Sequence, residues 1–307
     1  MLPNFLIIGA QRSATTFVHK CLEDHPDIFM PPKEKAFFEN PYFFQKDFNE
    51  FEKLFENLSQ KAIGIKRPNY LGKIECPERI YRYIPNAKLI VILRNPVERA
   101  ISAYFHQMKS GFIPIKPLEK GLLNVINRKY YKLYPRSKEI IEFGFYYKHL
   151  MHYLHYFKKD QLLVIIYRDL KANPLKTIQH IFRFLKVDEN FIPKTLQSKQ
   201  NPGVYSLTRL RLLNIRHRFV SIYNEDKTAR YGKKQKTVLD RLIDKLILLI
   251  DRKLLFQICK NSRLELSAKL SRSLFKIYEE DINGLEVFLG RKLTYWKSYS
   301  LMQDVNK

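Results

Sequence analysis

The chain has 307 residues, 45% of them hydrophobic, enough to bury one large core; this excludes a disordered protein and sets the expectation of a single domain over 1–307. Its 55 lysines and arginines against 30 acids leave a net charge of +25, which calls for an anionic partner: nucleic acid, acidic polysaccharide, anionic lipid or a multiply charged nucleotide. Compositional drift competes for part of that excess in a chain with only 10 glycines. Cys21, Cys76 and Cys259 lie far apart with no CxxC pair, which excludes a disulfide framework or zinc site and favours a reducing compartment.

The apolar run Phe5–Ile8 reads as a buried strand, followed by the turn Gly9-Ala10-Gln11-Arg12-Ser13-Ala14-Thr15-Thr16 and a helix over TTFVHKCLEDH. A strand starting at Phe5 leaves no room for a signal peptide, so a cytoplasmic protein is expected. KLIVIL at Lys88–Leu93 reads as a second strand, leading into a helix over NPVERAISAYFHQM with Pro96 in its first turn. After a Tyr-rich stretch, Tyr146, Leu150, Tyr153, Leu154 and Phe157 recur at the spacing of an amphipathic core helix. His149, His152 and His155 on that helix step by three residues and fan around its axis, so no metal site is expected.

QLLVII at Gln161–Ile166 reads as a third strand, before a helix started by Asn173 and Pro174. Beyond Asn201 the chain turns strongly basic, with Arg209, Arg211, Arg216, Arg218, Arg230, Lys233, Lys234 and Lys236. That segment, about 206–262, is expected to be helical: either a solvated face or a wall for an anionic substrate. The stretch LIDKLILLIDRKLLFQI from Leu242 is interrupted by Asp244, Lys245, Asp251, Arg252 and Lys253, and reads as an amphipathic helix rather than a membrane span. The strand and helix alternation predicts a doubly wound parallel α/β sheet flanked by helices, with its ligand at the carboxyl ends of the strands.

A strand, turn and helix start gathers backbone N–H groups at the positive end of a helix dipole, which is an anion site. Ser13, Thr15 and Thr16 add hydroxyl donors. A nucleotide triphosphatase needs G-x-x-x-x-G-K-[ST], whereas Ala14 and Thr15 stand where the second glycine and the lysine belong. The second strand runs into Arg94 rather than a metal-holding aspartate, so side chains, not Mg²⁺, neutralise the ligand.

These residues resemble the 5′-phosphosulfate loop, [KR]-S-G-T-[TSR], of sulfotransferases that use 3′-phosphoadenosine 5′-phosphosulfate, a family with a P-loop-like fold. PPKEKAFFEN resembles the segment carrying the catalytic glutamate of heparan-sulfate sulfotransferases and their bacterial relatives, with Glu34 on that glutamate. GIKRPNYL resembles their E-K-[TS]-P-x-Y-[LF] segment and places Lys66 near the acceptor. LRNPVERAISAYFH resembles the 3′-phosphate motif, with Arg94 and Ser102 as ligands. The resemblance covers most of 3–205 and 263–296, the expected core.

The resemblance implies that 3′-phosphoadenosine 5′-phosphosulfate is the co-substrate, held by Arg12, Ser13, Ala14, Thr15, Thr16, Arg94 and Ser102, with no metal. Glu34 would take the acceptor proton, Arg12 would steady the leaving phosphate, and Lys66 would bind the sulfuryl oxygens or an acidic acceptor. The acceptor would be a glycan, glycolipid or small alcohol; no specific nucleic acid is implied, and peripheral contact with a membrane stays open. Ala14 departs from the pattern's glycine and fits if the turn has already entered the helix. Ala36 stands where some heparan-sulfate enzymes carry histidine, and no late glycine-rich donor loop stands out; the basic segment Arg209–Lys236 is its candidate replacement. The rival class is a non-catalytic anion-binding protein for nucleic acid or acidic glycan, resting on net charge and on aromatics such as Tyr130, Tyr131, Tyr146 and Tyr147.

Overall fold

Five short runs assemble into one parallel sheet in a computed structural model that describes residues 2–45, 47–198, 203–233, 235–259 and 266–298. Asn201 and Lys234 of the basic segment lie outside the described residues. The strands are β1 (Phe5–Gly9), β2 (Ile28–Phe29), β3 (Ala62–Lys66), β4 (Lys88–Leu93) and β5 (Leu162–Ile166), in the order β2-β3-β1-β4-β5. Phe5 pairs with Gly64 on one side and Lys88 on the other, so β1 is central. The approach of β3 to β1 requires glycine: a Cβ on Gly64 would lie 2.1 Å from the Phe5 ring.

Helix α1 (Thr15–Glu23) follows β1, α2 (Pro96–Lys109) follows β4, and α3 (Tyr146–Leu154) precedes β5. Helix α4 (Pro174–Leu185) is started by Asn173, whose side chain accepts from the Lys176 amide at 3.2 Å. Val18 and Leu22 of α1 and Ile178 and Phe182 of α4 close with Ile7, Ile90, Ile92 and Ile165 of the sheet into one buried cluster. The sequence reading recovers β1, β4, β5 and these helices, and it omits β2 and β3.

The chain forms two compact units. One comprises Met1–Arg99, Phe145–Gln200 and Asp281–Arg291 and holds the parallel sheet; the other comprises Ala100–Gly144, Asn201–Glu280 and Lys292–Lys307. Within the first, Asp281 caps α3 from far along the sequence, its carboxylate accepting from the amides of Tyr147 at 2.9 Å and Lys148 at 3.0 Å.

In the second unit the basic segment is not wholly helical, as the sequence suggested. Helix α5 (Leu207–Val220) runs into an antiparallel hairpin of β6 (Ser221–Tyr223) and β7 (Arg230–Gly232) before α6 (Val238–Leu249). Asn224 makes the reversal, its Oδ1 accepting from the Ala229 amide at 2.7 Å and its Nδ2 donating to Thr228 Oγ1 at 2.8 Å. A capping box of Thr237 and Asp240 starts α6. The chain continues through a π-helical stretch, Ile250–Leu255, and a short turn, Phe256–Ile258; α7 (Ala268–Leu289) comes later.

Two arginines that sequence reasoning offered to an anionic substrate face inward instead. Arg209 grips Asp251 with two hydrogen bonds, at 2.7 and 2.9 Å, both side chains being buried. Arg216 pairs with Asp244. Arg211 and Arg218 remain exposed.

Candidate active site

The strand order reverses direction at β1 and β4, because α1 leads toward β2 and β3 while α2 leads toward β5. The crevice at the carboxyl ends of these two strands is where such sheets bind ligands. The turn after β1 is fastened there by the Ala10 amide, which donates to Ile92 O of β4 at 2.9 Å.

The turn passes through left-handed backbone at Arg12, φ 71°, and at Ala14, φ 63°. Ala14 therefore has not entered the helix, as the sequence reading required; it caps α1 in the conformation that favours glycine. No side chain caps α1, so the first amides at Thr15 and Thr16 are left for a ligand. Ser13 is fully buried, and its Oγ has no hydrogen-bond partner among the described residues. A buried unpaired hydroxyl and uncapped amides fit an anionic phosphosulfate.

Lys66 ends β3 and is almost wholly buried. Its Nζ donates to Thr16 Oγ1 at 3.1 Å and lies 3.2 Å from Glu34 Oε1. One ammonium thus joins the anion loop to the candidate base. Gln11 ties the same loop to the segment after β3, its Nε2 donating to Asn69 Oδ1 at 2.9 Å.

Glu34 has a second cation that the sequence reading missed. Arg67 Nη1 donates to Glu34 Oε2 at 3.0 Å, while its Nε donates to Glu39 Oε1 at 3.0 Å and its Nη2 pairs with the same oxygen. Burial pushes the Arg67 guanidinium pKa down, but the charge and hydrogen bond of Glu39, then the charge of Glu34, outweigh it and raise it. Arg67 stands where the quoted motif has Ser or Thr, and that departure was the available signal.

The loop bearing Glu34 is pinned by Tyr70, also buried. Its hydroxyl donates to Lys35 O at 2.6 Å and accepts from the amides of Phe37 at 2.9 Å and Phe38 at 3.1 Å. Phe37 stacks on Phe51 at 4.6 Å between centroids, so the motif's paired phenylalanines act as the loop's apolar anchor.

His19, a turn into α1, was also missed. Burial, then the Lys66 charge, lowers its pKa to about 4 despite Glu34, and its Nδ1 is buried without a partner among the described residues. The imidazole is neutral near pH 7.

The remaining predicted ligands are placed less directly. Arg94 follows β4, its Nε donating to Glu98 Oε2 at 2.7 Å and its guanidinium lying 5.3 Å from the Tyr167 ring centroid. Ser102 is buried on α2, in the second unit. Among the described residues no cluster of His, Cys, Asp and Glu is arranged to hold a metal ion, and no helix is long and apolar enough to cross a membrane.

The pattern that defines the sulfotransferase domain family matches residues 2–201. Human bifunctional heparan sulfate N-deacetylase/N-sulfotransferase 3 is 31% identical over 197 residues, covering 61% of this chain and 22% of that protein. Mouse heparan sulfate glucosamine 3-O-sulfotransferase 5 is 28% identical over 257 residues, covering 80% of this chain and 68% of that protein. The chain therefore spans about a fifth of the length of the bifunctional relatives. Among solved structures, a sulfotransferase from Alicyclobacillus acidocaldarius shares the fold with a TM-score of 0.67 at 22% identity, over 97% of this chain and 99% of its own. Mouse sulfotransferase SULT7A1 complexed with PAP has a TM-score of 0.50 at 16% identity, over 98% and 89% of the two chains.

Proposed function

Because the chain belongs to the sulfotransferase domain family, we propose that it moves a sulfuryl group from 3′-phosphoadenosine 5′-phosphosulfate to a hydroxyl or amine of a carbohydrate acceptor. The observation that carries this reading is Lys66, whose ammonium touches the anion loop at Thr16 and the carboxylate of Glu34 at once. An anion-binding protein without catalysis has no use for a carboxylate beside its anion site, where it repels the ligand.

The acceptor heteroatom bonds to sulfur as the bond from sulfur to the bridging phosphate oxygen breaks. The acceptor proton goes to Glu34, and the electron pair leaves on 3′-phosphoadenosine 5′-phosphate. Ser13 and the amides of Thr15 and Thr16 hold the 5′-phosphosulfate; Arg12 adds charge that does not depend on pH. Proton uptake by Glu34 cancels the anion that Lys66 was neutralising. The ammonium charge then turns to the departing phosphate at the moment charge develops there. Arg94, after β4, is our candidate for the donor's 3′-phosphate. These fixed cations do the electrostatic work without a metal, and activity should survive EDTA.

Carbohydrate is the acceptor class because the heparan sulfate enzymes named above act on one. Three free thiols suit a reducing compartment, in our reading the cytoplasm.

The test is transfer from labelled donor to a panel of acceptors. Glu34→Gln should lower the rate about 10²–10⁴-fold while calorimetry shows unchanged affinity for 3′-phosphoadenosine 5′-phosphate. An undiminished rate would remove Glu34 from the reaction.

A further inference from the structure

Helix α6 carries a buried and an exposed set of apolar side chains. Ile247 is buried in the second unit. Leu239, Leu242, Leu246 and Leu249 are 63%, 59%, 56% and 49% exposed, and beyond the helix Leu254 and Ile258 are 55% and 74% exposed. At 3.6 residues per turn the four leucines of α6 fall within a band about 80° wide, its centre about 120° around the helix from Ile247. This is a stripe, not a scatter of exposed residues.

The charges on the same segment are sorted. Asp251 is held by Arg209, Asp244 by Arg216, and Asp240 caps α6 at the Thr237 amide. The acids are thereby engaged within the unit, whereas Arg241, Lys245, Arg252 and Lys253 are all exposed. An apolar stripe edged by cations with no exposed acid matches one kind of surface: hydrocarbon beneath a layer of negative headgroups. Two copies meeting about a twofold axis would set the same four cations against one another, with no exposed acid to answer them.

We propose that this face of α6 and its continuation docks peripherally onto an anionic lipid surface, the leucines entering the headgroup boundary and the four cations seating on lipid phosphates. It is a second anion site, distinct in chemistry from the loop after β1: shallow, extended and amphipathic.

Flotation of the full chain with vesicles tests it. Binding to vesicles containing phosphatidylserine, and not to pure phosphatidylcholine, is expected at physiological ionic strength. Neutralising Arg241, Lys245, Arg252 and Lys253 to Gln should weaken binding about fivefold per cation. Leu242→Ser with Leu246→Ser and Leu249→Ser should weaken it at least tenfold, with the melting midpoint and affinity for 3′-phosphoadenosine 5′-phosphate unchanged. Leu246→Trp gives a second readout in the otherwise intact chain, because the native Trp296 is buried: its fluorescence should shift to the blue on anionic vesicles. The proposal is overturned by absence of binding, or by a serine variant that binds like the wild type, which would leave only the chain's general charge. A dimer that the serine variant dissociates would assign the face to a second copy.

Discussion

At the scale of single residues, Arg67 departs from the family motif, and its partners say what it does. Glu39 is 2% exposed and meets the guanidinium through one oxygen, while Glu34 takes another edge of the same group. Arg67→Thr, which restores the motif's residue, strands Glu39 in the core and should cost about 3 kcal/mol. Adding Glu39→Gln should recover most of that stability but not the lost turnover, since Glu34 still lacks its second tether. Chemical melts and kcat of the two variants check both halves. His19 predicts a pH effect of definite sign. Its folded pKa, about 4, lies below the ordinary imidazole value of 6.5, so the unfolded chain binds the proton first. Stability is full above pH 6.5 and is lost as pH falls toward 4, by an amount on the order of 3 kcal/mol. His19→Leu should flatten the melting curve in that window; an unchanged slope would show that other groups set it. Glu34 and Lys66 were legible as candidates because each lies in a recognisable motif. Arg67 and His19 were not, because their roles come from partners such as Glu39 and Lys66 that only the fold brings near.

At the scale of elements, legibility followed apolar run length. KLIVIL and QLLVII announce buried strands, whereas β3 is AIGIK, its run broken by the glycine that Phe5 requires, and β2 is two residues long. The hairpin of β6 and β7 hid in the basic segment for the same reason: three residues per strand carry no periodicity. Charge counting misled most there, since it could not separate Arg209 from Arg211. Removing Arg209 as Gln leaves Asp251 buried and alone, with an expected loss of about 3–5 kcal/mol. Arg211→Gln, on the same helix but exposed, should change stability by no more than about 0.5 kcal/mol. Thermal unfolding of the pair of variants settles which arginines are structural, and equal losses would contradict the burial difference.

At the scale of the whole molecule, the net charge of +25 is a standing self-repulsion. Several ion pairs are exposed, including Arg183 with Glu189 and Lys61 with Asp27, and exposed pairs contribute little. Screening the repulsion should therefore outweigh screening the pairs. The melting midpoint at neutral pH is expected to rise between about 10 mM salt and 0.1 M, over which the Debye length shrinks from about 30 to 10 Å. A midpoint that falls with salt would give the pairs the larger share. The cap that Asp281 places on α3 has a consequence for synthesis. The loop after β1 is synthesised well before α7, on which the unit that holds it draws. Helix α3 must wait, its amides uncapped, until translation has passed through the entire basic segment. The unit with α3 uncapped for that interval is the form of this protein most in need of a chaperone.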